Sequence, residues 1–237
     1  MNALIADIFA AARYDFDRET TEKFQILAET LQTGAKKINL TAVSDAAGIA
    51  VLHFLDSLTV LERIADTDKN ILDLGSGAGF PGLPLAIARP ALRLTLLEAR
   101  AKRAAFLREA ADTLKLENVS VINARAEDAA ASFAECFDAV LTRAVAKFAL
   151  SAAYAMPFVK QNGRYLAMLG SAPQNDINAA LPYLPALGGQ ITDVKTIVLP
   201  VINAGRAIVT VTKTAPQTAP AKKIIKAIKR GGIGGKA

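Results

Sequence analysis

A short apolar strand that runs directly into a glycine-rich turn constrains the fold of this chain more than any other feature. Residues 70–74 read Asn-Ile-Leu-Asp-Leu, and Gly75, Gly77 and Gly79 follow at alternate positions. Glycine adopts positive φ without steric cost and lets a ligand approach the backbone closely. Because residues 83–88 then have helical character, the segment predicts a strand, a turn and a helix start, which form a binding place at the carboxyl edge of a parallel sheet.

The rest of the chain repeats this alternation of strands and helices. Further strands, with helices between them, are predicted at 93–97, 119–122, 137–141 and 163–168. This order favours a parallel sheet covered by helices on both faces. The last two strands, 191–199 and 206–213, are separated by too few residues for a crossover helix, so they should form an antiparallel hairpin. A mostly parallel seven-stranded α/β sheet with one antiparallel strand is typical of the Rossmann-like class I methyltransferases, which is the fold class that we predict.

The distribution of these patterns divides the chain into three regions. We predict a helical N-terminal extension over residues 1–66, a ligand-binding methyltransferase domain over residues 67–213 and a basic, flexible C-terminal tail over residues 214–237. Within the tail, Ile224, Ile225 and Ile228 have the spacing of a short amphipathic turn. In the N-terminal extension, apolar residues recur at the spacing of one helix face, namely Phe24, Leu27, Ala28 and Leu31.

The net charge of +6 is concentrated at the C-terminus. From Lys213 onward there are seven basic residues and no acidic residue, whereas the preceding 212 residues carry a net charge of −1. A flexible cationic tail suits a polyanion such as nucleic acid, and it equally suits a segment that only keeps the protein in solution. The charge alone leaves both interpretations open.

Composition excludes several classes of protein. The single cysteine, Cys136, and the single histidine, His53, allow neither a disulfide within the chain nor a multi-histidine metal site, so we predict no metal. The N-terminus lacks the basic leader of a signal peptide, and no stretch approaches the roughly 20 apolar residues of a membrane span. We therefore predict a soluble cytoplasmic protein without a membrane partner and, since no oligomerisation stripe is visible, a monomer.

The spacing of the glycines distinguishes between two nucleoside-containing cofactors. Dinucleotide sites follow G-x-G-x-x-G, whereas this loop reads G-x-G-x-G and is preceded by Asp73. Glu98, at the end of the second strand, is placed to accept hydrogen bonds from both ribose hydroxyls. These features favour S-adenosylmethionine (SAM), with Gly77, Gly79 and Glu98 as cofactor-binding residues. Residues 125–128 follow the third strand, where the adenine ring meets the protein in this architecture, and a solvated acidic loop is the alternative there.

Five segments, in this order along the chain, are similar to one family. They are Asn-Leu-Thr-Ala-Val at 39–43, His-Phe-Leu-Asp-Ser-Leu at 53–58, the glycine loop at 73–82, Lys-Arg-Ala-Ala-Phe-Leu at 102–107 and Thr-Arg-Ala-Val-Ala at 142–146. They resemble the RsmG (GidB) family of 16S ribosomal RNA guanine-N7 methyltransferases. The resemblance covers about residues 20–213. It implies that SAM is the cofactor, that 16S ribosomal RNA or the small ribosomal subunit is the partner, and that guanine 527 in the usual 16S numbering is the target.

The resemblance also implies roles for individual residues. Contacts to SAM are expected at Gly75, Phe80, Ala126, Glu127 and Arg143. The residues expected to face RNA are Asn39, His53, Asp56, Ser57, Arg143 and Arg206. Arg143 and His53 are the expected catalytic residues. From the residues alone, a hydrogen-bonded structural role for His53 and a plain surface position for Arg143 stay open.

The chain departs from the family pattern after the fifth strand, where Leu169 stands in place of a lysine that could meet phosphate or guanine. The chemistry itself needs no general base, because guanine N7 carries a lone pair and no proton. Two rival functions remain at this point. One is a SAM-dependent methyltransferase that acts on a small molecule or a protein, and the other is an RNA-binding module without catalysis.

Overall fold

Seven strands form one sheet, and their order places the glycine turn near its centre. The computed structural model describes residues 2–38, 40, 41, 43 and 45–231. The strands are β1 (Asn70–Leu74), β2 (Arg93–Leu97), β3 (Val119–Ile122), β4 (Phe137–Arg143), β5 (Val159–Gly170), β6 (Gly189–Leu199) and β7 (Ala204–Lys213). Their order is β3-β2-β1-β4-β5-β7-β6, and β7 runs antiparallel to both of its neighbours while β1 to β5 pair in parallel. The predicted sheet and its C-terminal hairpin are confirmed.

The helices cover both faces of this sheet. The α-helices are α1 (Asn2–Ala11), α2 (Arg18–Ile38), α3 (Ala46–Gly48), α4 (Asp56–Leu58), α5 (Gly82–Ala88), α6 (Ala101–Thr113), α7 (Ala126–Ala129), α8 (Phe148–Ala155), α9 (Gln174–Ala180) and α10 (Ala221–Arg230). Short 3₁₀ turns occur at Leu61–Arg63, Met156–Phe158 and Pro185–Leu187. Among the described residues, no helix has both the length and the apolar character needed to cross a membrane.

Alternate residues of each strand enter two separate apolar layers. In β1, Ile71 belongs to one layer and Leu72 to the other, because successive side chains of a strand project to opposite faces. Helices α1, α2, α5 and α6 pack on the first layer, and α7 to α10 pack on the second. These helices therefore do not cover the carboxyl edge of the parallel strands. The turns after β1 to β4 meet at this edge, and the site lies there.

The N-terminal helices bear out the predicted apolar face and add an irregular segment. All four residues of the predicted face are fully buried in α2, namely Phe24, Leu27, Ala28 and Leu31. Between α3 and α4, the stretch Ile49–Leu55 is π-helical. Turns of π-helix are rare in proteins, and a large share of those that occur lie at functional sites. This one carries His53 and leads directly into Asp56, so the irregular turn lies where the sequence predicts function.

The chain after β7 corrects the expectation of a flexible tail over residues 214–237. Residues 221–230 form α10, and Ile224, Ile225 and Ile228 are buried in the second apolar layer. Three isoleucines on one helix face bury enough apolar surface to order a short cationic segment that composition alone presents as flexible. Residues 232–237 lie outside the described residues.

Lys213 counts among the basic C-terminal residues, but in the structure it is buried. Its side chain is 1% exposed at the end of β7. The Nζ donates to the carbonyl oxygens of Met156 and Val159 at 3.3 and 3.0 Å and pairs with Glu135 at 2.8 Å. These partners satisfy the buried ammonium, so Lys213 joins β7 to the start of β5 and is withdrawn from the solvent-facing charge.

Candidate active site

The turn after β1 owes its shape to three glycines. Gly75, Gly77 and Gly79 have φ values of 77°, 59° and 100°. A Cβ at Gly79 would lie 2.4 Å from the side chain of Leu83, and a Cβ at Gly75 would lie 2.7 Å from that of Val145. Both the backbone conformation and the close neighbours therefore require glycine, in agreement with the predicted turn.

Hydrogen bonds join this turn to β2 and to the carboxylate that follows it. The N–H groups of Gly75 and Ser76 donate to the carbonyl of Leu97 at 2.8 and 3.2 Å. The Glu98 carboxylate accepts from the N–H of Gly77 at 2.9 Å and from the N–H of Arg100 at 2.7 Å. Each carboxylate oxygen thus accepts one bond and keeps a lone pair for a further donor. Glu98 therefore supports the loop, and its contact with a ribose stays a prediction.

Asp73 is a fully buried acid beneath the glycine turn. Its Oδ2 accepts from the N–H of Gly82 at 2.9 Å, whereas its Oδ1 has no hydrogen-bond partner. Burial raises the pKa of Asp73 to about 7, against the lowering by hydrogen bonds from Gly82 and Ser76 and by the charge of Arg143. Asp73 is 0% exposed and lines neither of the cavities described below, so its observed role is to hold the turn through Gly82.

A cavity of about 270 Å³ lies beside the glycine turn, between the ends of β1, β2 and β3. Gly75, Ala126 and Glu127 line it, as the resemblance implies for cofactor contacts. Tyr154 of α8 and Lys229 of α10 also line it, and sequence analysis missed both. Lys229 could not be placed there because its segment was expected to be flexible.

A carboxylate and two arginines form the charged part of the site. The Oδ2 of Asp56 accepts from Nη1 of Arg143 at 3.2 Å, and its Oδ1 accepts from Nε of Arg206 at 3.1 Å. The Asp56 side chain is 9% exposed, and those of Arg143 and Arg206 are 16% and 28% exposed. Charge-assisted hydrogen bonds between largely buried groups have a defined geometry. Asp56 therefore positions both guanidinium groups. The structure thus brings together three of the residues predicted to face RNA.

His53 lies between Phe80, Arg143 and Thr41. Its ring stacks on Phe80 with centroids 4.5 Å apart, and Cζ of Arg143 lies 4.9 Å from the same Phe80 centroid. The Nε2 of His53 is 2.7 Å from Oγ1 of Thr41, and its Nδ1 is 3.5 Å from Nη2 of Arg143. A guanidinium only donates, so Nδ1 is the acceptor and Nε2–H donates to Thr41. Burial and the charge of Arg143 lower the pKa of His53 to about 4, which makes the ring neutral at about pH 7.

Phe80 lies where the glycine loop meets the charged cluster. Its side chain is 5% exposed and is covered by His53 and Arg143. Its backbone belongs to the glycine loop, and its contact with a cofactor stays a prediction. Phe80 links that loop physically to the charged cluster.

The charged cluster borders a second cavity of about 680 Å³. Its lining includes His53, Asp56, Arg143, Arg206, Lys147 and Leu169. Val145 lines this cavity as well as the one beside the glycine turn, so the two cavities are neighbours that share this residue. The arrangement offers a small cavity for a nucleoside and a larger, charged cavity for a second substrate.

Lys147 is a lining residue of the larger cavity that sequence analysis missed. It precedes α8 and is exposed. Arg143 and Arg206 are both paired with Asp56, whereas no acidic residue in the described part of the chain forms an ion pair with Lys147. Its position four residues after Arg143, at the carboxyl end of β4, is the signal that could have revealed it. Lys147 also supplies a positive charge to the cavity that Leu169 lines.

Two of the residues expected to contact RNA are not found at the cavity. Ser57 is 0% exposed, and its hydroxyl donates to the carbonyl of His53 one helical turn earlier. This corrects the prediction for Ser57, because a fully buried hydroxyl inside a helix cannot reach a polynucleotide. Asn39 lies outside the described residues.

Comparison with known proteins identifies the family. A family model described as rRNA small subunit methyltransferase G (GidB) matches residues 20–199. A ribosomal RNA small subunit methyltransferase G from Roseiflexus sp. (strain RS-1) is 40% identical over 205 residues, which are 86% of this chain and 87% of that protein. This chain belongs to the GidB family. A GidB relative with the same name from Desulfitobacterium hafniense (strain Y51) is 40% identical over 202 residues, 84% of this chain and 83% of the relative. The predicted family and the methyltransferase class are confirmed.

Solved structures agree with this assignment at the level of the fold. The O-methyltransferase from Bacillus cereus in complex with SAH has a TM-score of 0.54 at 20% identity, over 80% of this chain and 91% of that one. The structure of cofactor-bound Rv0187 from MTB has a TM-score of 0.56 at 16% identity, over 81% of this chain and 90% of that one. The GidB chain therefore has the class I methyltransferase fold that its strand pattern predicts.

Proposed function

We propose that this GidB-family enzyme transfers a methyl group from SAM to N7 of a guanine in 16S ribosomal RNA, expected at guanine 527. The proposal is carried by two cavities that share Val145 as a lining residue, with the glycine turn beside one and the Asp56-held arginines beside the other. The names of the family and of the relatives support ribosomal RNA as the substrate. A ribosomal substrate also implies the cytoplasm as the place of action.

The residues around the smaller cavity fit SAM. Gly75 lines it with backbone only, and Glu98 stands between the lining residues Leu97 and Ala99 and keeps lone pairs for ribose hydroxyls. Ala126 and Glu127 line the end of the cavity at which the adenine ring is expected. When bound, SAM supplies an electrophilic methyl group on a positively charged sulfur.

The groups of the larger cavity suit a nucleophile that has no proton to lose. His53 is neutral and both of its ring nitrogens are engaged, and the Asp56 carboxylate is held by two arginines. These groups therefore position the substrate and contribute electrostatic stabilisation rather than remove a proton. Guanine N7 has a lone pair and no hydrogen, so it meets that requirement.

Arg143 has the donor capacity to hold the guanine. Its hydrogen bonds to Leu52, Asp56 and His53 use three N–H groups of the five in a guanidinium, which leaves two for a ligand. Donation to guanine O6 orients the base, whereas donation to N7 would block the attacking lone pair. Arg206 and Lys147 are more exposed and suit the backbone phosphates next to the base.

The decisive experiment supplies radiolabelled SAM to the purified protein with unmethylated small ribosomal subunits or with naked 16S ribosomal RNA. Borohydride reduction followed by aniline cleavage then maps any N7-methylated guanine. We expect label at one guanine. If SAM binding is confirmed but neither RNA form is labelled, the proposal is wrong. Stoichiometric label on a protein or a metabolite under the same conditions would support the small-molecule or protein alternative instead.

A further inference from the structure

Helix α10 has two opposite faces with different chemistry. Ile224, Ile225 and Ile228 form the inner face and are 6%, 6% and 0% exposed against the second apolar layer. The outer face carries the exposed cations Lys222, Lys223, Lys226, Lys229 and Arg230, and the helix contains no acidic residue. Packing on α8 fixes these charges relative to the site.

Four of these cations form one stripe, defined here as the α10 stripe: Lys222, Lys226, Lys229 and Arg230. They line a shallow cavity of about 530 Å³ together with Ile225 and Glu127. Glu127 and Lys229 also line the smaller cavity beside the glycine turn, and the Nζ of Lys229 lies 5.9 Å from the ring centroid of Tyr154. The α10 stripe therefore begins at the edge of the proposed SAM site.

Helix α8 connects this stripe to the larger cavity. Lys147 precedes α8 and lines the larger cavity, while Tyr154 near the end of α8 meets Lys229. Between these two residues the helix rises about 10 Å at 1.5 Å per residue. This rise corresponds to about three phosphates of a stacked nucleic acid strand, at roughly 3.4 Å each. Helix α8 itself is buried, so it sets this distance, and the surface between its two ends is lined by Val145 and Tyr154 beside the smaller cavity. The α10 stripe is therefore within reach of a strand whose base occupies the larger cavity.

We propose that the α10 stripe binds backbone phosphates of the ribosomal RNA that flanks the methylated base. The inference rests on the proposed function, because it places the target base in the larger cavity. The charge difference favours a polyanion, since the first 212 residues of the chain carry a net charge of −1 whereas α10 carries five cations. Insertion into a membrane is disfavoured because the apolar face of α10 is already buried against the protein.

The test compares RNA binding by the full chain and two charge variants. The triple variant K222Q/K226Q/R230Q removes cations of the stripe that do not line the SAM cavity. The control variant K69Q/R93Q/K115Q removes three exposed cations near the starts of β1 and β2 and the end of α6, which lie at the opposite edge of the sheet. Affinity for in-vitro-transcribed 16S ribosomal RNA is measured between about 50 and 300 mM salt, because the salt slope counts phosphate contacts.

We expect the triple variant to reduce the slope of log affinity against log salt by about 2, at roughly 0.7 for each lost contact with single-stranded RNA. The control variant should keep the slope of the unmodified protein, and SAM affinity measured by calorimetry should be equal in all three. An unchanged slope in the triple variant overturns the inference. So does a selective loss of binding to anionic phosphatidylglycerol vesicles without any change toward RNA.

The outcomes also separate this inference from the proposed function. Methylation of the RNA by the unmodified protein at saturating RNA reports on the proposed function alone. If the unmodified protein methylates RNA and the triple variant keeps its salt slope, only the role of α10 fails. If the unmodified protein methylates no RNA, the proposed function fails whatever the slopes are.

Discussion

The glycine turn and the arginine–carboxylate cluster lie at the same edge of the sheet, yet the chain builds them in opposite ways. The turn consists mainly of backbone from residues that are close in sequence, between Asp73 and Glu98. In the cluster, Asp56 is separated by 87 residues from Arg143 and by 150 residues from Arg206. The turn therefore requires one correct local conformation, whereas the cluster requires that the N-terminal helices, β4 and β7 are all docked.

This difference has a consequence for how each region responds to mutation. Backbone N–H groups in a glycine turn keep their positions when a distant side chain is lost. The two arginines depend on a single carboxylate, so one change alters the position of both. We expect substitutions in the cluster to reduce turnover and leave cofactor binding in place.

The largest effect is expected for Arg143→Ala. The substitution removes the donor proposed for guanine O6 and should reduce kcat by roughly 100- to 1,000-fold, as the loss of one preorganised electrostatic donor does in other enzymes. SAM affinity, measured by calorimetry, should change by less than about threefold, because Arg143 does not line the cavity beside the glycine turn; a larger loss would support the SAM contact that the resemblance implies for Arg143.

Arg63→Ala is the matched control for Arg143→Ala. It also removes an arginine that pairs with an aspartate, here Asp193, but neither residue lines the two cavities of the proposed site. Its kcat should stay close to that of the unmodified enzyme. Near-normal turnover by the Arg143 variant would rule out the proposed role.

The second effect concerns Asp56→Asn, which leaves both guanidinium groups without their carboxylate. Breaking a buried ion pair costs about 3–5 kcal/mol, and the partial exposure of Arg206 should reduce this to roughly 2–3 kcal/mol of unfolding free energy. Displacement of Arg143 should also lower kcat by roughly 10- to 100-fold. Urea unfolding and single-turnover methylation measure the two quantities.

Asp66→Asn is the control for the aspartate substitution, because Asp66 pairs with Arg89 but is fully exposed. An exposed pair contributes little, so both stability and turnover should stay close to those of the unmodified protein. If the Asp56 and Asp66 variants lost equal stability, Asp56 would not have the positioning role assigned to it.

The same contrast explains how much of the molecule could be predicted from its sequence. The glycine turn and its supporting strands were predictable because strand pattern, turn chemistry and spacing are local signals. His53, Asp56, Arg143 and Arg206 were found through the resemblance, but their mutual hydrogen bonds depend on tertiary docking. The burial of Ser57 depends on which helix face the π-helical segment presents. No local pattern in the sequence carries that information.

The C-terminal region was mispredicted for a related physical reason. Its lysines and prolines dominate the composition, whereas the order of α10 depends on three isoleucines and on an apolar surface of α8 that is distant in sequence. The position of Lys229 beside the glycine turn follows from that packing. Composition therefore gave the correct number of cations in this region, but it did not predict that they lie on an ordered helix beside the site.

A third effect should appear in the pH dependence of stability, through the buried acid under the turn. The pKa of Asp73 is raised to about 7 in the folded protein from an ordinary value of 3.8. The folded state therefore binds more protons than the unfolded state between these values. Its contribution to stability is complete below the unfolded pKa and is lost as pH rises through about 7. Between about pH 5 and 8 this loss should amount to roughly 2–3 kcal/mol.

Asp73→Asn isolates this contribution, because an amide does not titrate and its oxygen can still accept from Gly82. Urea midpoints measured at about pH 5 and pH 8 should fall more for the unmodified protein than for the variant. The depressed pKa of His53 acts in the other direction, with stability lost as pH falls from about 6.5 toward 4, and it is common to both proteins. Equal pH dependence in the two proteins would contradict the raised pKa of Asp73.

The smallest effect is expected for Ser57→Ala. This substitution tests whether Ser57, which follows Asp56 directly, contacts the substrate. The Ser57 hydroxyl donates to the carbonyl of His53 within the helix and is fully buried, so its loss should cost less than about 1 kcal/mol of stability. The KM for RNA should be unchanged. Arg206→Ala, which removes a partly exposed cation of the larger cavity, should raise that KM several-fold and serves as the positive comparison. If both substitutions raised the KM for RNA to the same extent, Ser57 would have to reach the substrate, and the helix that carries it would have to present a different face to the larger cavity.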